Sequence, residues 1–155
     1  MRAVVQRVER ASVSIQGAIE GDTVVTGRIG RGILVLVGVG HADTAAHAQW
    51  LAKKVVGLRI FEDAQGKMNL DVAQAQGAVL AVSQFTLYGD CRKGRRPSFV
   101  AAAHPDEAES LVECFADCIR ECGVVCEMGR FGANMDVELL NQGPVTLLID
   151  TEKTF

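Results

Sequence analysis

Aromatic residues make up only 5% of this 155-residue chain, and proline occurs three times. Its core must therefore be built from Val, Leu, Ile and Ala, which 48% hydrophobic residues supply amply for one domain. No apolar run approaches the roughly 20 residues of a membrane helix; the longest, Ile33 to Val39, has strand length. Arg2, Arg7, Glu9 and Arg10 interrupt the N-terminal segment where a signal peptide would be apolar. A soluble, cytoplasmic protein is expected. CxxC pairs are also missing, and five cysteines, an odd number, argue against a disulfide framework or a zinc site. The three histidines, His41, His47 and His104, are scattered and read as solvated surface residues. A formal net charge of −3 gives no bulk attraction to nucleic acid, so any RNA contact must use a local patch.

What is present is a succession of short apolar segments. Val4 to Ile15 reads as one or two strands, Thr23 to Thr26 as a short one, and Ile33 to Val39 as a strand buried on both faces. Gly27 to Gly32 superficially suggests a phosphate loop, but it precedes a strand instead of following one and opening a helix, so it reads as a turn. Asp43 or Thr44 caps a helix whose stripe is Ala48, Leu51, Ala52 and Val55, with Lys53 and Lys54 toward water. Ala78 to Phe85 is the next buried strand, and Cys91 to Pro97 is a basic loop. Pro105, Asp106 and Glu107 open a second helix with inward residues Leu111, Phe115, Cys118, Ile119 and Cys122, ended by Gly123. Cys114, Cys118 and Cys122 share one face of it and read as buried small hydrophobes. Strands follow at Val124 to Met128, Met135 to Leu140 and Val145 to Asp150. The sum is a single-domain α/β protein over residues 1–155, with a mixed or largely antiparallel sheet and two main helices.

Two polar segments stand where apolar strands meet polar residues: Ser83-Gln84-Phe85-Thr86 and Asn141-Gln142-Gly143-Pro144-Val145-Thr146. With Met1 to Val8, Gly66-Lys67-Met68-Asn69-Leu70 and Arg96-Pro97-Ser98-Phe99 they form five islands in an order that resembles the D-aminoacyl-tRNA deacylase family. The resemblance covers the whole chain. It implies a β-barrel-like core with helices packed outside, working as a homodimer, and hydrolysis of the ester between a D-amino acid and tRNA without metal or cofactor. Around Ile15 to Thr26 the chain is a few residues longer than the family's compact pattern, in a turn region that carries no motif.

By themselves, Ser83, Gln84 and Thr86 are two hydroxyls and an amide at a strand end, equally suited to satisfying backbone groups. The resemblance makes them, with Phe85, the lining of a pocket for the aminoacylated 3′ end, where such groups hold an ester and its developing oxyanion. A threonine nucleophile needs an adjacent base, and the motif contains no His, Lys, Asp or Glu. Thr86 is therefore assigned a positioning role, with a positioned water attacking an already activated ester.

Gly143-Pro144 read alone is a turn before a strand, with a trans bond favoured, since about 5–6% of X–Pro bonds are cis. The resemblance implies instead a cis dipeptide inserted into the partner subunit's pocket, with Asn141 beside it. Arg7 either holds that dipeptide or is an exposed charge on the first strand. Arg92, Lys93, Arg95 and Arg96 put four charges in five residues just after the proposed site, where phosphate contact with tRNA is expected. Asn134 and Met135 are expected at the pocket rim. A rival reading is a non-catalytic nucleic-acid-binding module on the same fold. Relatives with a role at DNA replication origins carry extra C-terminal sequence, whereas this chain stops at Phe155.

Overall fold

The structure, a computed structural model, describes residues 1–17 and 22–154. The expected longer segment between Ile15 and Thr26 falls partly outside these residues; its described ends are joined by a bond from the Gly17 amide to the Asp22 carbonyl at 2.7 Å.

One strand organises the molecule. β1 (Arg2–Gln16) pairs antiparallel with β8 (Met135–Asp150) along one edge. Its other edge pairs with β3 (Gly32–Gly38) in the first half and β2 (Thr23–Ile29) in the second. β6 (Ala78–Ser83) and β7 (Cys126–Met128) continue the sheet beyond β3, both parallel. The two short strands β4 (Phe61–Glu62) and β5 (Met68–Leu70) form a separate antiparallel ribbon. The sheet is thus mixed, mostly antiparallel and curled toward a barrel, with α1 (Ala45–Val56) and α2 (Pro105–Glu121) outside.

The period-2 geometry of strands explains why β3 and β6 are apolar throughout. Ile33, Val35, Val79 and Ala81 pack with Leu51, Val55, Phe115 and Ile119 of the helices. Leu34, Leu80 and Val82 point the other way and meet Val8, Val13 and Ile29 inside the curl. Ile33 to Gly38 is therefore buried on both faces as expected.

Several local expectations need correction. Gly27 to Ile29 belong to β2, so the turn is confined to Gly30 and Arg31. The two strands expected at 135–140 and 145–150 are one, β8, because both halves pair with β1 on either side of a bulge. β6 stops at Ser83: the Gln84 amide makes its last ladder bond to the Val37 carbonyl at 2.7 Å, and residues Phe85–Tyr88 coil into a single 3-10 turn. In α1 the stripe is the expected one. In α2 the expected Phe115, Cys118 and Ile119 are buried, but the face is wider than expected on one side, taking in Ala108, Val112 and Ala116, while Leu111 is only partly buried and Cys122 is exposed. Two alanines on the inner stripe leave room for α1 to approach closely. Of the cysteines on that helix only Cys118 is buried, with Cys114 half-buried. Burial pushes the Cys118 thiol up, and raises that of Cys126 to about 11, so both stay protonated near neutrality.

Candidate active site

The parallel pair β3 and β6 ends side by side, with Val37 opposite Ser83. Ladder bonds run out there, and the chain must leave the sheet. β3 leaves through Gly38-Val39-Gly40, and β6 through the turn Phe85–Tyr88. Between these exits and the N-terminal half of α2 lies a cavity of about 740 Å³. Ser83, Gln84 and Phe85 form one wall, and Asn134 and Met135, at the start of β8, stand on another. Phe131, Val39 and Val112 make its apolar lining. A large, mostly apolar pocket with a few convergent polar groups at strand C-termini is where a ligand is expected.

Thr86 is exposed one residue beyond that wall, and its hydroxyl accepts a hydrogen bond from the Gln84 side-chain amide. An amide is no base, so the arrangement orients the hydroxyl without activating it. Phe85, 58% exposed, meets Phe99 edge-to-face with ring centroids 5.1 Å apart.

Phe99 also anchors the basic loop. The amides and carbonyls of Asp90 and Ser98 exchange hydrogen bonds of 2.7 and 2.9 Å, pinching off residues 91–97 as an exposed hairpin whose root is the pocket edge. Arg92 folds back onto Asp90, with Nε to Oδ1 at 2.9 Å and Nη2 to Oδ2 at 2.7 Å. This guanidinium holds the Asp90 carboxyl well below the usual range. Among the described residues Lys93, Arg95 and Arg96 have no ion-pair partner, so the loop's outward charge is mainly theirs.

His41 and His104 depart from the sequence reading. Both are exposed, yet both line the cavity, their ring centroids 6.3 Å apart, and the His41 Nε2 lies 2.9 Å from the Val100 carbonyl. No sequence signal marked them, because 63 residues of chain separate positions brought together only by the two exits from the sheet. His47 is elsewhere, in contact with Asp43 at 3.2 Å. Among the described residues no group of three metal-type side chains converges.

Gly143 and Pro144 lie outside this cavity's lining. Thr146 pairs with Gln6 and Asn141 with Val8, so residues 142–145 bulge from β8 opposite Arg7. The Gly143–Pro144 bond is cis, and both residues are exposed. Asn141 closes the bulge, its Nδ2 donating to the Thr146 hydroxyl at 2.9 Å and its Oδ1 accepting from the Val145 amide at 3.3 Å. Arg7 is not an exposed charge: it is 5% exposed, with Nε donating to the Gln142 carbonyl at 3.2 Å and Nη1 to the Ile60 carbonyl at 2.6 Å. A β-carbon at Gly143 would stand 2.7 Å from Arg7 Nη2, and its φ of +116° is one that other residues rarely adopt. In register, Arg7 aligns with Ile33 and Ala3 with Val37, so the bulge sits four residues along β1 from the Val37 wall of the cavity, roughly 13 Å.

Comparison with known proteins agrees with this geometry. The family model for D-Tyr-tRNA(Tyr) deacylase matches residues 4–150. The D-aminoacyl-tRNA deacylase of Koribacter versatilis is 58% identical over 155 residues, all of both chains. That of Thermotoga petrophila is 57% identical, again over all of both. Among solved structures, the c-Myc DNA unwinding element binding protein superposes with a TM-score of 0.86 at 38% identity, over 97% of this chain and 99% of that one. A probable eukaryotic D-amino acid tRNA deacylase shares the fold, with a TM-score of 0.78 at 18% identity, over 96% and 97% of the two chains. A family model spanning nearly the whole sequence and curated relatives matched end to end settle its membership: this chain belongs to the D-Tyr-tRNA(Tyr) deacylase family.

Proposed function

We propose that this protein hydrolyses the ester joining a D-amino acid to the 3′ end of tRNA, releasing both, and that it does so in the cytoplasm as a homodimer. The observation that carries the reading is the Ser83–Phe85 wall of the cavity, in a chain matched end to end to curated D-aminoacyl-tRNA deacylases. The cavity takes the terminal adenosine against Phe131 and Met135. The ester carbonyl lies at the turn, where backbone amides and the Gln84 side chain face the oxygen that gains charge as water attacks. Thr86 positions Gln84 through their shared hydrogen bond. Because the aminoacyl ester is already activated, orientation of water accounts for much of the rate. Lys93, Arg95 and Arg96 meet acceptor-stem phosphates without reading sequence.

The dipeptide's position supports a shared site. It is exposed, about 13 Å along the strands from the Val37 and Ser83 wall of its own cavity, and two to three strand spacings of about 4.8 Å aside. Among the described residues β8 pairs only with β1, leaving its other edge open, and Leu139, Leu140 and Leu148 are exposed on it. A second copy placed against that edge brings each dipeptide to the other's cavity. There its backbone carbonyls hold the substrate ammonium and occupy the space into which an L side chain would project. Apolar fit contributes only about 1–3 kcal/mol per methylene, while a 10⁴-fold preference needs about 5.5 kcal/mol; exclusion supplies that for every D-amino acid alike. Glycine has nothing to exclude, so glycyl-tRNA is a substrate too.

The test is deacylation of D-Tyr-tRNA, L-Tyr-tRNA and Gly-tRNA by the purified protein. The reading expects the first and third to be cleaved and the second spared. Cleavage of D-Tyr-tRNA with Gly-tRNA intact would refute exclusion, and inertness toward all three would favour a binding role of the kind named for the DNA unwinding element binding protein.

A further inference from the structure

Beneath the turn that carries Gln84 to Thr86 lies a buried polar cluster that the reaction itself does not use. Its centre is Asp43, whose side chain is 2% exposed. The Asp43 carboxylate accepts from the Tyr88 hydroxyl at 3.1 Å and from the Gly40 amide at 2.7 Å. It also receives the Met1 ammonium and lies 3.4 Å from the Thr151 hydroxyl. Tyr88 is the last residue of the turn. Arg2 secures the same turn from the other side, donating to the Leu87 carbonyl at 3.1 Å, with its guanidinium carbon 4.5 Å from the Tyr88 ring centre and its Nε 3.4 Å from Asp150. Gly40 completes the seat, since a β-carbon there would stand 2.7 Å from the ring.

Asp43 and Arg2 reach the turn only at its last two residues, Leu87 and Tyr88, and neither of these lines the cavity. Two backbone bonds close the turn: Leu87 amide to Gln84 carbonyl, long at 3.3 Å, and Gly89 amide to Thr86 carbonyl at an ordinary 2.9 Å. A single turn of this kind has poor internal hydrogen-bond geometry, so its placement depends on what its end is tied to. We propose that Asp43 is a positioning residue of the deacylation site, acting through Tyr88 to fix the turn that presents Gln84, Phe85 and Thr86 to the ester. The proposal rests on the reading of that turn as the place where the ester is held.

A displacement of about 1 Å at a reacting centre can cost 100-fold in rate, while substrate affinity drawn from the cavity and the basic hairpin is untouched by it. The effect therefore falls on the chemical step. Tyr88 is the chain's one tyrosine, which gives the contact its own spectroscopic signature. The groups facing its hydroxyl and ring are Asp43, Asp150 and Arg2; burial first, and then the Asp43 charge, hold the phenol well above its ordinary value of about 10.

The experiment pairs single-turnover deacylation of D-Tyr-tRNA with alkaline phenolate titration, for wild type, Tyr88→Phe and Asp43→Asn. Tyr88→Phe keeps the ring on Gly40 and removes only the hydroxyl, so it tests the tether even where Asp43→Asn destabilises the fold. The proposal predicts a rate at saturation lowered about 10-fold or more in folded Tyr88→Phe, with half-saturation within about twofold of wild type. It predicts that the phenolate of folded Asp43→Asn appears at lower pH than that of wild type. A saturated rate for folded Tyr88→Phe within twofold of wild type, or a loss confined to half-saturation, overturns the proposal, as does an unshifted phenolate. Wild-type protein inert on D-Tyr-tRNA would overturn the reading of the site; an active wild type with an unimpaired Tyr88→Phe would overturn the positioning role alone.

Discussion

Substituting alanine at Gly143 should separate the D-selectivity of this protein from its stability. The new methyl group would stand 2.7 Å from Arg7 Nη2 and 3.0 Å from Val145 Cγ2. The φ of +116° adds a backbone cost of about 1–3 kcal/mol for a residue with a side chain. Crowding of the buried Arg7, which is tied to Ile60 and Gln142, adds about 1–3 kcal/mol. The combined cost of roughly 2–6 kcal/mol is centred above the about 1.5–3 kcal/mol that a bond such as that from Arg7 to Gln142, 3.2 Å long, contributes. The bulge therefore moves, and the sheet on either side of it stays. Unfolding should shift by no more than about 3 kcal/mol, or about 6–12 °C for a chain of this size. Selectivity should fall much further. If exclusion supplies about 5.5 kcal/mol and half is lost, the ratio of D-Tyr-tRNA to L-Tyr-tRNA cleavage drops about 100-fold. The assay is the two deacylation rates measured on one preparation, beside a thermal melt. A folded Gly143→Ala protein with rate and ratio within threefold of wild type would refute the account of the bulge.

Thr86→Ala should retain activity within about tenfold of wild type, because the hydroxyl's partner is the Gln84 amide; a loss of several orders of magnitude with unchanged binding would restore covalent catalysis. Neutralising Lys93 and Arg95 should weaken tRNA binding equally for every amino acid and flatten its salt dependence, whereas Arg92→Ala should do less, its charge being already held by Asp90; filter binding across a salt series decides. Burial alone would raise the Asp150 carboxyl, but the Thr154 hydroxyl, the Glu152 amide, Arg2 and the N-terminal ammonium together lower it. A depressed carboxylate contributes stability above its unfolded pKa of about 3.9 that is lost as pH falls below it. Asp150→Asn should therefore be less stable than wild type at neutral pH, the gap narrowing as pH falls below about 4; denaturant melts at the two pH values measure it.

How much was legible beforehand differs by the kind of signal. The stripe of α1 and the two-faced burial of β3 follow from periodicity; the structure returns the first residue for residue, and the second with β3 at Gly32–Gly38 and Leu36 half-buried. The face of α2 followed only in part: Phe115, Cys118 and Ile119 are buried as read, but Cys, Ala and Val at neighbouring positions make two adjacent stripes almost equally apolar, so Ala108, Val112 and Ala116 were missed and Leu111 and Cys122 were placed too deep. Of the proposed site residues, Ser83 to Phe85 and Met135 line one cavity, while Thr86, Gly143 and Pro144 lie outside its lining. His41, His104 and the Asp43–Tyr88 pair were not foreseen, since each depends on how the chain leaves the sheet, which no local pattern encodes. Arg7 was left open between two roles; only the bulge opposite it, a feature of register between distant strands, decides for burial.

The central claim, a site completed by a second copy, is tested most directly by complementation. One variant carries Gly143→Ala with Pro144→Ala, and the other carries Gln84→Ala with Phe85→Ala; each alone should be nearly inactive on D-Tyr-tRNA. After the two are unfolded together at equal concentration and refolded, half of the dimers contain one of each. Each mixed dimer then has one intact turn facing one intact dipeptide, so about a quarter of wild-type activity should return. No recovery above the sum of the separate variants, in a mixture shown to contain mixed dimers, would contradict the account.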